Sequence, residues 1–131
     1  MDQNIRILIL EDRTSDADLV EFELMEAGLV FTPKRTVNEK EFRQALEEFS
    51  PDLILSDFDL TQYNGALALF EAKKRYPDIP FILVTGILNT EENGDLVREF
   101  TARGVSDFVS KNHLDRLAPA VKKALRMGDV L

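Results

Sequence analysis

Four short apolar runs recur at wide intervals along the chain: IRILIL at 5–10, LILS at 53–56, FILV at 81–84 and VSDFV at 105–109. Three of them are almost continuously apolar and rich in Ile, Leu and Val, as expected of strands covered on both faces. A fifth, weaker run at 30–37 holds Pro33 among polar neighbours. Proline cannot donate to a ladder, so this run reads as an edge strand. The segments between the runs have helical period. Parallel strands need long crossovers, which helices supply, so this alternation points to a parallel sheet with helices on both faces, an α/β fold built from five βα units.

The helical segments carry their own start and stop signals. Residues 17–27 place Leu19, Val20, Phe22 and Leu24 on neighbouring turns, with Ser15 or Asp16 as the cap and Gly28 as the stop. Residues 38–49 open on Asn38, carry Phe42, Ala45, Leu46 and Phe49, and end at Ser50-Pro51. Residues 65–76 hold Leu67, Leu69, Phe70 and Ala72 before Pro77. Residues 90–103 take Thr90 as cap, with Glu91 and Glu92 favoured by the helix dipole, and close at Gly104. The last helix spans roughly 114–127, with Leu117, Val121, Ala124 and Leu125 on one stripe.

Composition narrows the class. A chain of 131 residues is one domain's worth, because a second core would leave two halves too small to be stable, so 1–131 reads as a single domain with no output domain after the last helix. It has no Cys, which excludes disulfides, thiolate metal sites and Cys nucleophiles, and its one His, His113, leaves no room for a multi-histidine site. A net charge of −8 disfavours nucleic acid and anionic membrane surfaces as direct partners. The apolar stretch at 7–10 is far too short for a signal peptide or membrane span, so a cytoplasmic location is expected.

In open α/β sheets ligands bind beyond the carboxyl ends of the strands. Glu11 and Asp12 follow the first run, Asp57 and then Asp59 follow LILS, Thr85 follows FILV, and Lys111 follows the last run. The polar chemistry is therefore gathered on one edge instead of scattered. Carboxylates crowded at about 4 Å repel by about 4 kcal/mol at an effective dielectric near 20. A hard divalent cation relieves that repulsion, and Mg²⁺ suits a site with few carboxylates. A Lys and a hydroxyl beside such a cluster make a place for a transferred phosphoryl group, with a carboxylate as acceptor.

Glu11-Asp12 after IRILIL, PDLILSDFDL leading to Gly65, FILVTG with Thr85, and GVSDFVSK with Phe108 and Lys111 together resemble a response-regulator receiver domain of two-component signalling. The likeness covers nearly the whole chain. The stretch from Lys111 through His113-Leu114 to Arg116-Leu117 is similar to receivers attached to hybrid sensor histidine kinases. The resemblance implies a flavodoxin-like doubly wound sheet of strand order 2-1-3-4-5. Asp57 would be the phosphoacceptor, taking its phosphoryl group from a histidine kinase or histidine phosphotransfer domain. Asp12 and Asp57 would bind Mg²⁺ directly, Glu11 through water, and the backbone carbonyl of Asp59 would complete the protein ligands. Lys111 and Thr85 would contact phosphoryl oxygens, and Thr85 and Phe108 would act as the switch. The face of the fourth helix, fifth strand and fifth helix would then change output partners, with a homodimer among the possible assemblies.

The chain departs from the family's pattern at Thr61 and Asn112, both common proline positions, and at Asp59, an acid two residues past the acceptor. Two other readings stay open at this level. Asp57-Phe58-Asp59-Leu60-Thr61 fits the DxDxT motif of haloacid-dehalogenase-type phosphatases, although that family places it on the first strand. A phosphorylation-independent pseudo-receiver would share the fold, although such domains usually lack one of the residues retained here.

Overall fold

The computed structural model describes residues 4–58, 60, 63–86 and 94–126. The elements alternate as β1 (Ile5–Leu10), α1 (Thr14–Glu26), β2 (Phe31–Thr36), α2 (Glu39–Glu48), β3 (Leu53–Ser56), α3 (Gly65–Arg75) and β4 (Phe81–Thr85). Then follow α4 (Gly94–Ala102), β5 (Asp107–Ser110), a 3₁₀ turn (Lys111–Arg116) and α5 (Leu117–Ala124). The five strands form one parallel sheet in the order β2-β1-β3-β4-β5, as expected.

Strand side chains alternate between two apolar layers, because successive residues of a strand face opposite ways. Ile5, Ile7 and Ile9 of β1 face Val20 and Leu24 of α1 and Leu117 and Val121 of α5. Leu8 and Leu10 face the other way, into a cluster with Phe42, Leu46, Leu69, Phe81 and Phe100 from α2, α3, β4 and α4. The continuous apolar character of β1, β3 and β4 is thus the consequence of two cores sharing one sheet. β2 is the edge strand anticipated from Pro33, which pairs with Ile7. On that edge Arg35 bridges to Asp18 and Glu21 of α1.

Asn38 caps α2 as expected, its side chain accepting from the Glu41 amide, and Gly28 ends α1 with a φ of +84°. The cap of α1 differs from expectation: the N-cap position is Arg13, with no side-chain hydrogen bond, and Ser15 and Asp16 already lie inside the helix. Two apolar stripes compete on α1. The structure buries Ala17, Val20 and Leu24, and leaves Leu19 and Phe22 exposed. The same choice recurs on α3, where Ala68, Leu69 and Ala72 pack inward and Leu67 and Phe70 face outward. Small residues on the inward stripe let the helix axis approach the sheet, a selection that periodicity alone does not make. The last helix is shorter than expected: residues 111–116 form the 3₁₀ turn, with His113 at non-helical φ/ψ. Pro119, in the first turn of α5, lacks the amide and crowds the carbonyl four residues back, so the α-helix cannot extend through Asp115.

Candidate functional site

The carboxyl ends of β1, β3, β4 and β5 bring the expected groups together. The Asp57 amide donates to the Leu10 carbonyl at 2.9 Å, and the Glu11 amide donates to the Thr36 carbonyl at 3.0 Å. The ladder therefore runs one residue past each strand and fixes both acids at the sheet edge. Glu11 and Asp57 are buried and Asp12 is half-buried. Each of the three offers a carboxylate oxygen, and these oxygens all lie within 4.8 Å of one another. Three hard oxygen donors so close together could hold a metal ion, and they fit a cation of the Mg²⁺ class better than a soft transition metal.

Lys111 enters the cluster from the end of β5. Its Nζ donates to Glu11 Oε1 at 2.6 Å, to Asp16 Oδ2 at 2.8 Å and to Asp57 Oδ2 at 3.1 Å. Burial alone would lower the ammonium's pKa, but the hydrogen bonds to Asp16, Glu11 and Asp57 outweigh it and hold the pKa above its ordinary value. The pKa of Glu11 is raised as well, which for a carboxylate favours the neutral form. Its burial raises its pKa, the Lys111 hydrogen bond opposes that, and the charge of Asp57 adds to the rise. The second oxygen of Glu11 accepts from the Arg13 amide at 3.1 Å, so the side chain is held at both ends.

Asp16 did not stand out in the sequence as a site residue. It sits in the first turn of α1, four residues after Asp12, and its carboxylate goes to Lys111 instead of capping the helix. The available signal was positional: one helical turn beyond β1 returns a side chain to the same sheet edge.

Thr85 is buried as the last residue of β4, in register with Ser110 of β5. Phe108, half-buried, is in register with Leu83 and packs against the cluster that holds Phe81 and Phe100. Next to Asp57, Phe58 meets the Phe100 ring of α4 edge-on at 5.6 Å. Asp59, Thr61, Thr90, Glu91 and Glu92 lie outside the described residues. Asn112 follows Lys111 without a cis peptide, and its amide donates to Ser110 Oγ at 3.1 Å.

This fold, with acids at the ends of β1 and β3 and a lysine after β5, has a counterpart among known proteins. The family model of the response regulator receiver domain matches residues 7–122, and the chain belongs to that family, the receiver module of two-component signal transduction. The protein-glutamate methylesterase/protein-glutamine glutaminase of Treponema denticola is 29% identical over 111 residues, covering 83% of this chain and 29% of that protein. The regulatory protein LuxO of Vibrio vulnificus is 31% identical over 124 residues, covering 94% of this chain and 26% of that protein. The chain thus spans less than a third of the length of these curated relatives. Among solved structures, the receiver domain of NtrX from Brucella abortus matches with a TM-score of 0.76 and 27% identity, covering 93% of this chain and 99% of that one. Among the described residues no helix is long and apolar enough to cross a membrane.

Proposed function

We propose that the chain is a phosphoacceptor switch in a two-component phosphorelay, with Asp57 as the acceptor. One observation carries this reading: the Asp57 carboxylate lies 3.1 Å from Lys111 Nζ and belongs to a three-carboxylate group that could hold a metal. An oxygen of Asp57 would attack phosphorus as the N–P bond of a phosphohistidine breaks, its electron pair remaining on the imidazole nitrogen. The donor is a histidine kinase or histidine phosphotransfer domain. Mg²⁺, held by Asp12 and Asp57 directly, by Glu11 through water and by the backbone carbonyl of Asp59, would offset the charge of the transferred group. Lys111 then pairs with one phosphoryl oxygen and Thr85 donates its hydroxyl to another. Withdrawal of Thr85 toward the phosphoryl group opens space for Phe108, and the face of α4, β5 and α5 changes its affinity for an output partner. The domain is not a turnover enzyme: it catalyses only its own phosphorylation and dephosphorylation. Its setting is cytoplasmic.

Intact-protein mass spectrometry after incubation with Mg²⁺ and acetyl phosphate tests this, beside an Asp57→Asn control. A single phosphoryl adduct in the wild type alone is expected. An adduct of equal stoichiometry on the control would move the acceptor elsewhere. Release of many equivalents of phosphate from small phosphomonoesters would instead favour a phosphatase.

A further inference from the structure

Lys111 has more carboxylates around it than the acceptor chemistry uses. Of its three partners, Glu11 and Asp57 belong to the group that could hold a metal, whereas Asp16 does not. Asp16 Oδ2 nevertheless lies 2.8 Å from Nζ, closer than Asp57 at 3.1 Å. Both side chains are largely shielded, with 18% of Lys111 and 22% of Asp16 exposed. Asp16 is carried by the first turn of α1, so it reaches the lysine from a different element than either metal-group partner.

From this geometry we infer that Asp16 is a positioning residue for Lys111, an alternative counter-ion that shares the ammonium with Asp57 and competes for it with the phosphoryl group. The inference rests on the acceptor reading of Asp57 given above. A cation held by Glu11, Asp12 and Asp57 would compete with Lys111 for two of the three carboxylates that it contacts. Asp16, outside that group, is the partner for which the cation would not compete. When a phosphoryl group arrives, Lys111 is shared between its oxygens and Asp16. The balance between these two partners sets how firmly the phosphorylated form is held.

Two effects of opposite sign follow for Asp16→Asn. Without the Asp16 charge, Lys111 leans harder on Glu11 and Asp57 and opposes the metal, so Mg²⁺ affinity falls by about threefold to fivefold, the scale of one partly exposed ion pair. The same change frees the ammonium for an anionic ligand on Asp57. At saturating Mg²⁺ the affinity for beryllofluoride, a phosphoryl mimic, therefore rises by about the same factor. A change that only loosened α1 would lower both affinities together. Asp16→Glu, which keeps the charge, is expected to retain the wild-type pattern.

The experiment is a pair of titrations, Mg²⁺ by calorimetry and beryllofluoride by NMR, on the wild type, Asp16→Asn, Asp16→Glu, Lys111→Ala and the Asp16→Asn, Lys111→Ala double variant. If Asp16 acts through Lys111, the beryllofluoride gain seen in the single variant vanishes in the Lys111→Ala background. A gain that persists there reports a general field effect and overturns the positioning role. So do unchanged affinities in Asp16→Asn, or a parallel fall in both. Failure of the wild type to bind beryllofluoride in the presence of Mg²⁺ overturns the acceptor reading itself, and is distinguishable from those outcomes.

Discussion

A Cβ placed on Gly65 would stand 2.9 Å from the carbonyl oxygen of Asp57, nearer than real side chains come to a backbone atom. It would also stand 3.0 Å from Phe58 Cα and 3.0 Å from Leu83 Cδ2. The Gly65 amide donates to the Phe58 carbonyl at 2.9 Å, so the start of α3 is seated directly on the backbone of residues 57–58. Gly65→Ala gains about 1 kcal/mol of helix propensity. It must also displace residues 57–58, at a cost of about 1–3 kcal/mol for an overpacked contact. Most of the neighbours are backbone and cannot rotate away, so the clash is expected to win. Urea unfolding should show a net loss of stability, and acetyl phosphate labelling should show slower incorporation. Wild-type values for both would mean that the close approach constrains nothing.

Lys111→Ala tests the balance of charge. The substitution leaves Glu11, Asp16 and Asp57 facing one another without their shared ammonium. Buried groups stripped of a charged partner cost about 1–3 kcal/mol each. In EDTA the variant's melting temperature should therefore drop, and Mg²⁺ should recover more stability in the variant than in the wild type. A variant whose melting responds to Mg²⁺ no more than the wild type would remove Lys111 from the electrostatics of the cluster. By the proposed mechanism it should still accept a phosphoryl group while failing to change its output face.

Asp12→Ala addresses the metal directly. Asp12 is half-buried at the end of β1 and supplies one of the three converging carboxylates. By the proposed ligand set, removing this carboxylate should weaken Mg²⁺ binding by at least about tenfold, the lower end of what changes around a metal site cost. Calorimetric titration of the variant checks this, and an unchanged isotherm would place the cation elsewhere.

The sheet and its polar carboxyl edge were legible because they depend on features that a linear pattern encodes. Continuous apolar runs mark strands covered twice, and the residues after such runs must fall at one edge. Glu11, Asp12, Asp57, Thr85 and Lys111 each follow or end such a run, and they lie at a common edge. Helix faces were harder to read. Leu19 and Phe22 on α1, and Leu67 and Phe70 on α3, fit an apolar stripe as well as the residues that are in fact buried, and only packing against the sheet chooses. Asp16 was hidden for a related reason. A carboxylate near a helix start is ordinarily a cap, and its pairing with Lys111 spans 95 residues of sequence. The shortening of α5 could have been read from Pro119, whose ring forbids the α-turn that precedes it.

Tyr63 offers a prediction independent of the site. Its side chain is buried against Phe42, ring centroids 6.2 Å apart, and its hydroxyl has no hydrogen-bond partner among the described residues. An unsatisfied buried hydroxyl is a net cost, so Tyr63→Phe, which keeps the ring and removes the oxygen, should be neutral or stabilising by up to about 1 kcal/mol at neutral pH. Burial also pushes the phenol's pKa up to about 12, with the charges of Glu39 and Glu71 adding to the rise. A raised pKa means that the folded state keeps a proton which the unfolded state, near its ordinary value of 10.0, has begun to lose. Stability from this group is therefore fully present below pH about 10 and declines as pH rises through the folded value. The wild type should lose stability over that alkaline interval faster than Tyr63→Phe, a difference that urea unfolding at a series of pH values would read directly. Parallel curves would mean that the phenol reaches solvent or a partner, and a destabilised variant at neutral pH would mean that the hydroxyl is bonded after all.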